Sequence, residues 1–109
     1  MSDIFHDREK QAETMFAHDQ ELRFKARVRS DRLMGLWVAS KLGLKGAEAE
    51  TYAKSFIETS LEKGGEARLI KRIIADFKAR NVEISEHRIR RHLTECEAEA
   101  RAQIMKEVK

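Results

Sequence analysis

Residues 47–80 read AEAETYAKSFIETSLEKGGEARLIKRIIADFKAR, and their periodicity decides the fold class. Before the glycine pair, Ala49, Tyr52, Ala53, Phe56, Ile57 and Leu61 recur at helical spacing. After it, Leu69, Ile70, Ile73, Ile74 and Phe77 do the same. Apolar residues three and four apart share one face of a helix, whereas a half-buried strand alternates at period two. The stretch therefore predicts two helices, from about Ala47 to Lys63 and from about Glu66 to Arg80. Glu62-Lys63-Gly64-Gly65 reads as the end of the first, with a glycine taking the left-handed backbone that closes a helix.

The same punctuation recurs on either side. Lys41-Leu42-Gly43-Leu44 is a helix C-terminus in which Gly43 is left-handed and Leu44 folds back; Arg80-Asn81-Val82 is a version with asparagine in place of glycine. Proline is absent, so these are the breaks. Upstream, Met15, Leu22, Ala26, Leu33 and Trp37 form the stripe of a helix that can run from about Ser2 or Asp3 to Leu42. Downstream, Ser85 is an N-cap, with Ile84 and Ile89 spaced as a hydrophobic staple. That last helix continues through Leu93, Cys96, Ala100 and Ile104. Four helices on short loops, each with one apolar face, predict an all-α antiparallel four-helix bundle. The shared register predicts a core of Leu22, Leu33, Leu36, Trp37, Tyr52, Phe56, Ile57, Ile70, Ile73, Ile74, Phe77, Ile89, Leu93, Cys96 and Ala100.

The first helix is not uniform. His6 to Gln11 (HDREKQ) holds no apolar residue for nearly two turns, so it has nothing to seat in a core. Residues 1–19 are thus expected to form a projecting, mobile helical arm, with 20–109 as the bundle. Phe5, Ala12 and Phe16 nevertheless fall on one narrow stripe, about 16 Å long between the two aromatics. Such a stripe suits a helix that enters a partner's groove, and equally a solvated arm with two incidental phenylalanines.

Length and composition bound the function. A chain of 109 residues is one domain, and its 38% charged residues suit a heavily solvated surface. The lone Cys96 excludes an internal disulfide and fits a reducing compartment. The opening MSDIFHDREK lacks the apolar run of a secretory signal, and no stretch approaches the roughly 18 apolar residues of a membrane span. A soluble cytoplasmic protein without membrane insertion is expected.

Nothing in the chain points to catalysis. His87 and His92 are five apart, too far around a helix to share a metal, and His6 and His18 lie on the arm. All four are expected at the surface. No Glu-x-x-His pair offers the di-metal site of some bundles, so no metal is expected. Cys96 sits one heptad after Ile89 and reads as a small buried hydrophobe. Gly64-Gly65 lacks the spacing and ending of a phosphate loop, and no serine has triad partners in register. The chain is expected not to be an enzyme.

Charge is more informative. Arg23, Lys25, Arg27, Arg29 and Arg32 crowd the first helix with only Asp31 among them. Two like-charge pairs at i,i+4 result, each mildly unfavourable in an isolated helix. Arg88, Arg90 and Arg91 lie in the first turns of the last helix, where its dipole disfavours cations. A solvated face, intramolecular neighbours such as Glu58 and Glu62, and an acidic partner each account for this. A nucleic-acid-binding module would use Arg88 and Arg91 on a reading helix. Against it stand the long Asn81–Ser85 connection, the acidic Glu95, Glu97 and Glu99, and the lack of interleaved aromatics.

The string from Phe16 to Arg27, FAHDQELRFKAR, followed by Leu33-Met34-Gly35-Leu36-Trp37-Val38-Ala39, resembles the ζ subunit family of the F-type ATP synthase of α-proteobacteria. Phe5, Asp7, Arg8 and Glu9 also match the family's opening, and weaker similarity extends through Leu42-Gly43, Tyr52-Ala53-Lys54 and the last two helices. The resemblance implies a four-helix bundle with a mobile N-terminal arm. It implies a regulatory subunit that binds the catalytic head and can block ATP hydrolysis, as the mitochondrial ATPase inhibitor does. The arm would fold as a helix between an α and a β subunit at the central rotor. Carried over by position, the inhibitory segment is about Ser2 to Asp19, with Phe5, Arg8, Glu9, Ala12 and Phe16 as contacts. Arg23, Lys25, Arg27, Arg29 and Arg32 are a candidate partner-facing group. The protein would then be peripheral to the inner membrane through the synthase. A non-inhibitory ζ-like adaptor is the alternative within the resemblance. No cofactor is expected; the family is associated with weak nucleotide binding, for which no motif here marks a site.

Overall fold

The computed structural model describes residues 19–108, which form four α-helices: α1 (Gln20–Lys41), α2 (Gly46–Leu61), α3 (Gly65–Ala79) and α4 (Glu86–Glu107). No strand occurs among these residues. The arm, its mobility, and Phe5, Arg8, Glu9, Ala12 and Phe16 lie outside the described residues.

Where α1 begins is set by a cap. Asp19 is extended (φ −94°, ψ 107°), and its carboxylate accepts from the backbone N–H groups of Glu21 and Leu22 at 2.9 and 3.2 Å. Those donors have no intrahelical acceptor, and an Asp N-cap satisfies them. One uninterrupted helix from Ser2 to Leu42 is therefore not what forms, because Asp19 stands outside the helical backbone.

The end of α1 follows the expected turn. Gly43 is left-handed at φ +81°, its N–H reaches the Ser40 carbonyl, and the Leu44 N–H reaches back to Ala39 at 2.9 Å. Leu44 then packs against the core. These are the two hydrogen bonds of a Schellman motif. Asn81 (φ +57°) ends α3 in the same way, with Val82 donating to the Phe77 carbonyl at 2.8 Å. The turn between α2 and α3 differs from expectation. Glu62 caps α2 in an extended conformation, and the left-handed Gly64 is instead the N-cap of α3. Gly65 then approaches the Ser60 carbonyl so closely that a Cβ would lie 2.1 Å from its oxygen.

α1 packs against both α2 and α4, and α3 closes the ring against the same two. Phe56, Ile70, Ile73, Phe77, Ile89, Leu93, Cys96 and Ala100 are buried as expected. Leu22, Leu33, Leu36, Trp37, Tyr52, Ile57 and Ile74 are only half-buried. The α1 stripe is the main correction: its buried residues are Ser30, Asp31, Met34, Gly35, Val38 and Ala39. Going from Leu33 and Trp37 to Met34 and Val38 turns the face by about 100°. A helix flanked by two neighbours buries the line between them, and Gly35 lies on that line, with room only for Ala53 of α2. Trp37 instead covers the core from its edge, stacked on His92 at 4.0 Å and edge-on to Phe77 at 6.2 Å. His92 is consequently not a surface histidine; burial beneath the indole pushes its pKa down.

Candidate partner-binding surface of the first helix

The 3.6-residue turn divides the five basic residues of α1 between two sides. Arg23 and Arg27 line a cleft of about 360 Å³ with Ala26, Ser30 and Asp31 of α1, Ser60, Glu66 and Leu69 from α2 and α3, and Leu93, Glu97 and Arg101 of α4. Lys25, Arg29 and Arg32 line a shallower groove of about 510 Å³ on the other side, with Phe24, Val28, Leu33, Gln103 and Glu107. The sequence-predicted basic group is therefore not one surface.

Most of these cations have partners within the chain. Arg27 donates through Nε to the Ser60 hydroxyl at 3.1 Å and through Nη2 to the Ser60 carbonyl. It thereby satisfies an acceptor left over at the end of α2. Arg32 holds both carboxylate oxygens of Glu50 at 2.9 and 3.0 Å, Arg29 pairs with Glu107, and Lys25 stands 3.9 Å from Glu21. Arg29 also keeps the Glu107 carboxyl below its usual range by donating a hydrogen bond to it. No carboxylate among the described residues pairs with Arg23. Intramolecular neighbours thus explain much of the crowding, though they are Glu21, Glu50 and Glu107 rather than Glu58 and Glu62. In α4, Arg90 pairs with Glu86 and Arg91 with Glu95, each at i,i+4. These exposed pairs contribute about 0–1 kcal/mol each.

The groove side carries one unpaid apolar feature. Phe24 is 53% exposed, beside Val28 one turn along and the half-buried Leu33. An aromatic ring among guanidinium groups offers a contact that is both apolar and cationic.

The cleft side holds groups that the sequence reading did not single out. Asp31 is buried on α1, and burial pushes its carboxyl from the ordinary 3.8 to about 6, against the lowering effects of Ser60 and Arg27. Glu97 is also raised, by burial and by the nearby Glu66. The signal was present: Asp31 lies three and seven residues before Met34 and Val38, on their line. A second unforeseen cluster joins α2 to α3. Tyr52 donates its hydroxyl to Asp76, and Arg72 lies 4.9 and 4.8 Å from the Tyr52 and Phe56 rings while donating to Ser55 and Thr59. It reads as a polar seam that fixes the α2–α3 register. Cys96 is buried and its thiol is pushed up to about 11 by burial, first of all, and by Glu95 and Glu97, so it stays protonated and packs as a small hydrophobe.

Among the described residues no three of His, Cys, Asp and Glu come together to hold a metal, and no helix is long and apolar enough to cross a membrane. The family model described as ATPase inhibitor subunit zeta matches residues 1–103. No curated protein matches the chain.

Proposed function

The chain belongs to the ATPase inhibitor subunit zeta family, and on that premise we propose that it is a regulatory subunit that binds the catalytic head of the F-type ATP synthase and blocks ATP hydrolysis. The observation that carries this reading is the span of the match, which takes in residues 1–19 together with nearly all of the bundle. Residues 2–19 are the inhibitory element, entering between an α and a β subunit at the central rotor. Phe5 and Phe16 supply the apolar contacts, with Ala12 between them on the same stripe. Arg8 and Glu9 fix the register through polar contacts, which serve specificity more than affinity. On the bundle, Lys25, Arg29, Arg32 and the exposed Phe24 are the secondary contact. Exchanging an exposed intramolecular carboxylate for one on the synthase costs these cations little. Arg27, held by Ser60, is left out of that contact.

The test is ATP hydrolysis by the purified synthase head, titrated with the full chain, with a chain lacking residues 2–14, and with Phe5→Ala. Burying one aromatic side chain contributes roughly 1.5–3 kcal/mol, so Phe5→Ala should weaken inhibition about ten- to a hundredfold. If the shortened chain inhibits as well as the full one, the arm is not the inhibitor. If all three bind and none inhibits, the chain is a non-inhibitory ζ-like adaptor.

A further inference from the structure

Ser30, Asp31 and Ser60 are the buried polar side chains of the described bundle, and Asp31, 5% exposed, is the one among them that carries a charge. Asp31 Oδ2 and Ser30 Oγ are both buried and have no hydrogen-bond partner. The groups that face Asp31 across the cleft are Arg23 and Arg27 of α1, Ser60 of α2, Glu66 of α3, and Glu97 and Arg101 of α4. Arg27, one helical turn before Asp31 and lining the same cleft, directs its guanidinium to Ser60. Burial outweighs the hydrogen bond of Ser60 and the attraction of Arg27, and Glu97 adds a smaller repulsion. An ionised carboxylate therefore stands in this cleft without an ion pair, an arrangement that burial makes costly. The neutral acid removes the charge and carries a donor of its own, with Ser60 of α2 beside it across the cleft and Ser30 Oγ an unused acceptor on α1 itself.

We propose that the Asp31 carboxyl is a proton-operated clamp between α1, α2 and α4: proton uptake closes the cleft, and proton loss loosens the α1 wall and admits water. The clamp belongs to the bundle and stands whether or not the chain inhibits ATP hydrolysis.

The sign follows from linkage. A carboxyl raised from 3.8 to about 6 contributes stability that is full below 3.8 and is lost as pH rises through about 6. Glu97, raised by burial and Glu66, acts in the same direction. His92, lowered by burial, acts in the opposite one: its contribution is lost as pH falls through its folded value. Glu107, held low by Arg29, titrates below this window. Only the difference between variants isolates Asp31.

The experiment is urea denaturation of the full chain and of Asp31→Asn between pH 7.5 and pH 5, with a carbon-detected titration of the Asp31 carboxyl in the unaltered chain. The ratio of the two folding equilibrium constants, full chain over Asp31→Asn, should rise about tenfold on going to pH 5. The Asp31 carboxyl should titrate near pH 6, and amides of residues 23–31 should exchange more slowly at pH 5 once intrinsic rates are removed. A ratio that stays flat, or an Asp31 midpoint near its ordinary 3.8, overturns the proposal. Should Asp31→Asn fail to fold, the carboxyl titration decides alone. The ratio of the Glu97→Gln chain over the double variant Glu97→Gln/Asp31→Asn should rise as much; if instead the ratio of the full chain over Glu97→Gln rises while that over Asp31→Asn stays flat, Glu97 is the proton site and the clamp is wrongly placed.

Discussion

At Gly35 the α1 and α2 backbones come so close that a Cβ would lie 2.7 Å from the Ala53 Cα and 3.3 Å from the Phe56 ring. The obstacle is backbone, which cannot swing aside as a side chain can. Gly35→Ala sets two effects against each other. Alanine is favoured over glycine inside a helix by about 1 kcal/mol, while overpacking a tight contact costs about 1–3 kcal/mol. The steric term should win, and the melting midpoint should fall by several degrees; a rise would mean that the helices part without loss. The same line of residues shows what single positions disclosed in advance. Ile73 and Phe77 were legible as core because Leu69 and Ile70 continue their face without a polar residue, and Phe56 through Ala49, Tyr52 and Ala53, although Ser60 is buried on the same face. Met34 and Val38 are not distinguishable in the sequence from Leu33 and Trp37, since both pairs repeat at four and hydrophobicity alone does not rank them. Asp31 looked like one solvated charge among cations, and only the approach of Ser60 and α4 makes it a buried acid.

Among elements, α1 depends most on its ends. Its first turn is exposed at Asp19, Gln20 and Glu21, so the cap rather than packing holds it. Asp19→Ala removes both hydrogen bonds to Glu21 and Leu22 and should cost about 0.5–2 kcal/mol. Faster amide exchange confined to the first turn of α1, with a lower denaturation midpoint, is the expected result. An unchanged midpoint with unchanged exchange would show that the cap contributes nothing. The C-terminal turns at Gly43 and Asn81 were readable because one left-handed residue followed by an apolar one encodes the Schellman motif locally. The Gly64-Gly65 turn was readable as a break but not in its geometry. Two adjacent glycines permit either assignment of the left-handed residue, and the contact of Gly65 with the Ser60 carbonyl selects one. The basic run of α1 was likewise visible as a cluster. Its division between two sides follows from the 3.6-residue period, while which side meets a cleft and which a groove depends on where α2 and α4 lie.

For the molecule as a whole, every buried apolar residue of the described chain lies between Met34 and Ile104. Deleting residues 2–14 should therefore leave the denaturation midpoint within about 0.5 kcal/mol of the full chain while removing inhibition. A clear loss of stability would show that the arm folds back on the bundle. The sequence by itself determined that the described residues are all-α with four helices, where α2 and α3 begin and end and where α4 begins, to within two residues, and which faces of α2, α3 and α4 are apolar. Those properties are local: they rest on backbone sterics at turns and on the 3.6-residue period, both written within a few neighbouring residues. Only the tertiary structure decided which face of α1 is buried, that His92 lies under Trp37, and that Arg27 serves Ser60 while Arg29 and Arg32 reach Glu107 and Glu50. These partners are 18 to 78 residues apart, and no local rule brings such residues together. Their pairing, and the buried charge of Asp31, arise from the packing of whole helices against one another, which sets burial and distance at once.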